Sequence, residues 1–147
     1  MSVRSYRDLI GWQKAMDLAA GVYRITEAFP SREQFGLSNQ LRRAAVSVPS
    51  NIAEGQGRGT TKDYVHFLHI SRGSLQELET QLLLAQRLKF AAEPDVQSLL
   101  SLADEVSRLV SGLMNSLAPR PSPLTPRPSP CSIGSSTLLC GTGFSCC

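Results

Sequence analysis

Apolar positions recur at steps of three and four along the first 117 residues, and no segment alternates with period two over the length of a strand. Leu9, Trp12, Met16, Ala19 and Tyr23 share one stripe, which predicts a helix from about Tyr6 to Phe29, where Pro30 stops it. After the connector Ser31 to Gly36, the stripe Leu37, Leu41, Ala44/Ala45, Val48 and Ile52 predicts a second helix, with Gly55 placed to end it. Thr60 and Thr61 offer an N-cap, and Asp63 in the first turn suits the helix dipole. A third, long helix then carries Tyr64, Leu68, Ser71, Leu75, Leu78, Leu82 and Ala85 on one side as far as Lys89. Pro94 fits the first turn of a last helix, whose stripe is Val96, Leu99, Ala103, Val106, Val110, Leu113 and Leu117.

The predicted fold class is therefore all-α. Four helices joined by short connectors pack most simply as an up-down-up-down antiparallel four-helix bundle, and the period near 3.5 favours crossing angles of about 20°. Ala44, Ala45, Ser47 and Ser50 keep the second helix thin, so that a neighbour can approach closely. Pro49 lacks an N–H and its ring meets the carbonyl of Ala45, which predicts a bend there, with Ser47 or Ser50 in position to satisfy the freed oxygen.

Composition divides the chain into residues 1–118, the bundle, and residues 119–147, a tail of different character. All 12 Asp and Glu fall in the first part against 13 of the 15 Lys and Arg, which leaves +1 there out of the +3 of the whole chain. All four cysteines, and every proline except Pro30, Pro49 and Pro94, fall in the tail, where PRPSP occurs at Pro119–Pro123 and again at Pro126–Pro130. Proline at this density favours extended conformations, and the Gly/Ser-rich end offers little apolar surface, so the tail is expected to be disordered. Its cysteines lack C-x-x-C spacing, and the repeat is also what a translated repetitive element or a shifted frame would produce. The opening MSVRSYRDLIGWQK carries no apolar run of signal-peptide length, and no window approaches the ~20 apolar residues of a membrane span. The expected location is the cytoplasm, with no membrane partner.

Little in the body points to catalysis. Gly55, Gly57 and Gly59 precede Lys62, yet the order is neither GxxxxGK[ST] nor a GxGxxG that follows a strand; Gly55 reads as a helix terminator and the other two as linker. His66 and His69 share a face with Asp63, but a di-iron bundle needs Glu-x-x-His on two helices with carboxylates from the others. No Ser or Cys stands in a nucleophile-elbow context. The expectation is a non-enzyme with no catalytic residues, metal or cofactor.

The run GLSNQLRRAAVSVPSNIAEGQGRGTTKDYVHFLHISRGSLQELETQLLLAQRL, Gly36 to Leu88, resembles the signature of the four-helix-bundle proteins first known from open reading frames inside intervening sequences of bacterial large-subunit (23S) ribosomal RNA genes. The leading YRDLIGWQKAMDLAAGVYRITEAFP is similar to that family's first helix, so the resemblance extends over about Tyr6 to Leu117. It rests on the Arg pair, the proline-bearing helix, the AEG ending and the RGSLQELE run together. It implies a compact bundle that assembles into a ring of five and has no established catalytic activity. A structurally similar relative is the accessory protein of diversity-generating retroelements, a basic pentamer that binds nucleic acid and a reverse transcriptase.

Arg42, Arg43, Arg58, Lys62 and Arg72 are the candidate nucleic-acid contacts, because a ring would repeat each of them around its axis and could turn a small patch into a continuous basic rim. The other reading has Arg42, Arg43 and Arg72 pairing with Glu54, Glu77 and Glu79 at helix or subunit contacts. Apolar residues beside the stripes, such as Ile10, Phe67, Ile70, Leu83, Leu100 and Leu109, exceed what a slender monomer hides and predict a homo-oligomer. The expected partners are thus other copies of the chain and RNA, DNA or a nucleoprotein. The alternative is a structural or protein-interaction ring that serves a polymerase or reverse transcriptase without touching nucleic acid.

Overall fold

The structure is a computed structural model that describes residues 5–118; the tail expected from residue 119 onward, its cysteines and the repeated PRPSP lie outside the described residues. A 3-10 turn, Tyr6–Asp8, leads into α1 (Ile10–Glu27), and a second, Ser31–Glu33, connects it to α2 (Leu37–Gly57); α3 (Thr61–Arg87) and α4 (Glu93–Leu117) follow. Each helix packs on its neighbours in sequence and α1 closes against α4, with no diagonal helix pair in contact among the described residues.

Individual contacts give the directions. Ser47 on α2 meets Ser74 on α3 while the Val48 carbonyl accepts from Ser71, so advancing along α2 means retreating along α3. Arg42 reaches Thr26, which sets α2 against the far end of α1. Lys14 pairs with Glu105, and Gly21 lies against Leu99, so α4 runs opposite to α1. The bundle is up-down-up-down.

The expected stripes of α2, α3 and α4 form the core: Leu41, Val48, Ile52, Leu68, Leu75, Leu78, Leu82, Val96, Ala103, Val106 and Val110 are all buried. On α1 the stripe is rotated. Ala15, Leu18 and Val22 face the core with Ala19, whereas Met16 and Tyr23, expected inside, are 45% and 44% exposed. The first turn differs as well, because Leu9 is extended (φ −75°, ψ 118°) and separates the 3-10 turn from α1. That break shifts the phase of Leu9 relative to the helix that follows, so a period counted from Leu9 selects the wrong face.

Helix ends follow ordinary capping chemistry. The Thr60 hydroxyl accepts the Asp63 amide at 3.1 Å and donates to the Asp63 carboxylate at 2.7 Å, which starts α3 as expected. At its other end the Phe90 amide donates to the Ala85 carbonyl and the Lys89 amide to Gln86, both at 3.0 Å, with Lys89 in the left-handed region at φ 58°. This is the Schellman pattern with a lysine where glycine is usual. It directs Phe90 back against Phe29, their ring centroids 5.8 Å apart, and the pair seals one end of the bundle.

Two expectations about α2 need correction. Gly55 does not end the helix, which runs on to Gly57; it is buried inside α2, where a methyl group would meet Phe67 Cβ at 2.7 Å and Tyr64 Cδ2 at 2.9 Å. Gly55 thus lies where α3 packs too close to α2 to leave room for a side chain. The left-handed residue is Gly59, φ 76°, in the turn beyond. Neither serine turns to the Ala45 carbonyl: Ser50 donates to the Val46 carbonyl at 2.8 Å, and Ser47 shares a hydrogen with Ser74 at 2.9 Å.

Candidate nucleic-acid interface

The bundle sorts the five candidate cations by what each can reach. Arg42, on the α2 flank facing α1, is half-buried; its Nε donates to Thr26 Oγ1 at 2.8 Å and its guanidinium lies 5.0 Å from the Tyr23 ring centroid. Thr26 passes its own proton to the Tyr23 carbonyl at 2.9 Å, so one hydroxyl ties α2 to the last turn of α1. A cation there also suits the carbonyl-rich helix end. Arg43, one residue on and about 100° further round the helix, is exposed and borders a cleft between α2 and α3 with Gln40, Ser47 and Glu77.

Arg58 is the C-cap residue of α2, where it pairs with Glu54 one turn back and lies 5.1 Å over the Phe67 ring. Lys62 is exposed in the first turn of α3. Arg72, half-buried, stands seven residues before Glu79 and therefore on the same side of α3. That side faces α4: burial, with the nearby Asp104 of α4 adding to it, raises the Glu79 carboxyl above its ordinary value.

Within one subunit, the pairings expected of the structural alternative are not the ones formed among the described residues. Glu54 holds Arg58, and Glu77 accepts from Gln81 Nε2 at 2.9 Å. Nor does one subunit gather the five cations. Arg42 and Arg58 are separated by about 24 Å along α2 at the usual helical rise, and Arg72 belongs to a third flank. Among the described residues Arg43, Lys62 and Arg72 have no carboxylate partner. His66 and His69 are both exposed, and no three His, Cys, Asp or Glu side chains among the described residues cluster as metal ligands would.

What one subunit does gather is an apolar groove. Between α1 and α2, Met16, Tyr23 and Val46 stand over a floor of Ala19, Ala20 and Ala53, and the cleft measures about 500 Å³. Tyr6 and Trp12 close one end, edge to face at 5.3 Å. Sequence reasoning missed this surface because it assigned Met16 and Tyr23 to the core. The signal that could have exposed it is the second apolar set on α1, Ala15, Leu18 and Val22, which supplies a complete core stripe without them.

The family described as 23S rRNA-intervening sequence protein matches residues 7–112, which span α1 to α3 and most of α4. The chain belongs to that family. Among solved structures it is similar to a protein of unknown function from the S23 ribosomal protein family of Bacteroides thetaiotaomicron VPI-5482, with a TM-score of 0.67 and 20% identity over 72% of this chain and 96% of the other. That likeness concerns the fold. No curated protein matches the chain. Among the described residues no helix is long and apolar enough to cross a membrane.

Proposed function

We propose that this member of the 23S rRNA-intervening sequence protein family is a non-enzymatic, cytoplasmic, self-assembling bundle that contacts nucleic acid or a nucleoprotein through cations repeated around the assembly. The observation that carries the reading is the apolar groove of α1 and α2, whose rim residues Met16, Tyr23 and Val46 are each more than two-fifths exposed. Apolar side chains lined up along two adjacent helices are a surface that association would cover. Five subunits is the number that the family resemblance implies. Arg43 and Lys62, exposed and without a carboxylate partner, are the cations best placed to meet phosphates, with Arg58 beside Lys62 in sequence.

A second reading, an interaction ring that binds a protein such as a polymerase and no nucleic acid, is favoured by the near balance of charge over residues 1–118. Light scattering and filter binding separate the two. The first reading expects an oligomer mass, abolished by Val46→Glu, and affinity for structured RNA or DNA that falls steeply as salt rises and flattens in Arg43→Ala/Lys62→Ala. A monomer mass refutes both. An oligomer that retains no RNA or DNA at low salt leaves the interaction ring.

A further inference from the structure

Beyond the groove, at the end of the bundle where α1 gives way to α2, lies a separate cleft of about 220 Å³. Its walls combine the Arg42 guanidinium with Ser38, Gln34 and Thr26 and, on the apolar side, Phe29 and Pro30. Two features of this cleft do not belong to an ordinary surface depression. Ser38 is only 3% exposed and borders the cleft, yet its hydroxyl makes no hydrogen bond with any described residue. Arg42 is half-buried, its Nε is engaged by Thr26 and one face is covered by Tyr23, but no carboxylate lies within ion-pair distance of it among the described residues. The anchoring leaves the two terminal nitrogens, the part of the fork that binds a carboxylate with two parallel hydrogen bonds.

From this arrangement we infer that the cleft is a binding site for a small organic monocarboxylate, whose carboxylate is held by Arg42 and Ser38 and whose apolar portion rests on Phe29 and Pro30. The Leu37 amide at the start of α2 is already taken by the Glu33 carboxylate at 3.2 Å, so the contacts to the anion fall to Arg42 and Ser38. Glu27 also borders the cleft, and its negative charge selects a monoanion over a multiply charged phosphate. Burial of the fork matters, because a guanidinium shielded on two sides gains more from a charge partner than one in open water. The cleft's own walls are distinct from the apolar groove, although Tyr23, which covers one face of Arg42, also lines that groove, and the site does not require nucleic acid.

The test uses the full chain titrated with isovalerate, followed by calorimetry and by the thermal shift that a ligand of the folded state produces. Saturable binding is expected, with inorganic phosphate weaker than isovalerate. Arg42→Lys, which keeps the charge but loses the planar fork, should weaken binding by about tenfold, and Ser38→Ala should weaken it less. Glu27→Gln, at an exposed position, should tighten it, a result that a purely structural Arg42 would not produce. Unliganded melts of each variant report folding separately from binding. Absence of saturable binding by the folded wild-type chain overturns the assignment, as does binding that Arg42→Lys, Ser38→Ala and Glu27→Gln leave unchanged. Tighter capture of a blocked glutamate peptide than of isovalerate would overturn the small-molecule class.

Discussion

Replacing Gly55 by alanine tests the tight approach of α2 and α3 at that point. Two effects oppose each other. Alanine in a helix interior is favoured over glycine by about 1 kcal/mol. Against this, the new methyl group would lie 2.7 Å from Phe67 Cβ and 2.9 Å from Tyr64 Cδ2, where carbon atoms normally rest about 3.5–4.0 Å apart. Phe67 Cβ is fixed to the backbone of α3, so relief requires the helices to separate by roughly 1 Å along their shared seam, and overpacking of this kind costs about 1–3 kcal/mol. The net expectation is a loss of about 1 kcal/mol, which lowers Tm by roughly 5 °C in a domain of this size. Two other glycines calibrate the reasoning. A methyl group on Gly73, inside α3, would meet nothing within 4 Å, so Gly73→Ala should raise Tm. At Gly21 the nearest obstacle is the terminal Cδ2 of Leu99 at 2.6 Å, the end of a side chain that can turn away, and the change should be nearly neutral. Thermal denaturation by circular dichroism ranks the three. Should Gly55→Ala melt as high as Gly73→Ala, the tight α2–α3 approach is not what the glycine is for.

Four further outcomes follow from the same contacts. The Tyr64 hydroxyl is buried without a partner, and burial pushes its phenol up, so Tyr64→Phe should stabilise the fold by about 1 kcal/mol in chemical denaturation. Lys89→Gly should raise Tm by a few degrees, because it relieves a left-handed residue of about 1 kcal/mol of strain; an unchanged or lower Tm would count against the cap. Glu79 binds its proton more tightly in the folded state than unfolded, so it opposes folding once ionised; Glu79→Gln should raise Tm at neutral pH, and the advantage should vanish as pH falls below the ordinary carboxylate range. A chain that ends at Ala118 should melt with the full-length protein, since the bundle core is complete within the described residues; a large loss would show that residues 119–147 contribute to it.

The parts of the fold that were legible in the sequence are those where one local signal had no competitor. Thr60 with Asp63, and Pro94 at the head of α4, each mark a boundary by a side-chain or ring constraint that acts within one turn. The stripes of α2, α3 and α4 hold their phase from end to end because no break interrupts them. Gly55 was misread for a definite reason: a glycine near the end of an apolar stripe is consistent both with a terminator and with a close approach, and the second depends on Phe67 and Tyr64 of another helix. The end of α3 is expected at Lys89, within two residues of Arg87, but the left-handed conformation there could not be read, since lysine carries no preference for that region.

The candidate site shows the same division between local and tertiary information. A list of basic residues locates charge along the chain but says nothing about which flank of which helix each occupies. Arg42 and Arg43 are adjacent in sequence, yet the turn of the helix sends one between α1 and α2 and leaves the other beside α3. α1 makes the complementary point. It carries two apolar sets, Ala15, Leu18 and Val22 on one side and Met16 and Tyr23 on the other, and joining them to Ala19 gives an apolar arc wider than one core contact needs. In the single bundle the exposed Met16 and Tyr23 forgo burial, which the proposed association would supply. The excess apolar width of α1 is therefore the feature on which the proposed self-assembly rests, and a single charge at Val46, on the facing flank of α2, is the smallest change that should separate folding from that proposed assembly.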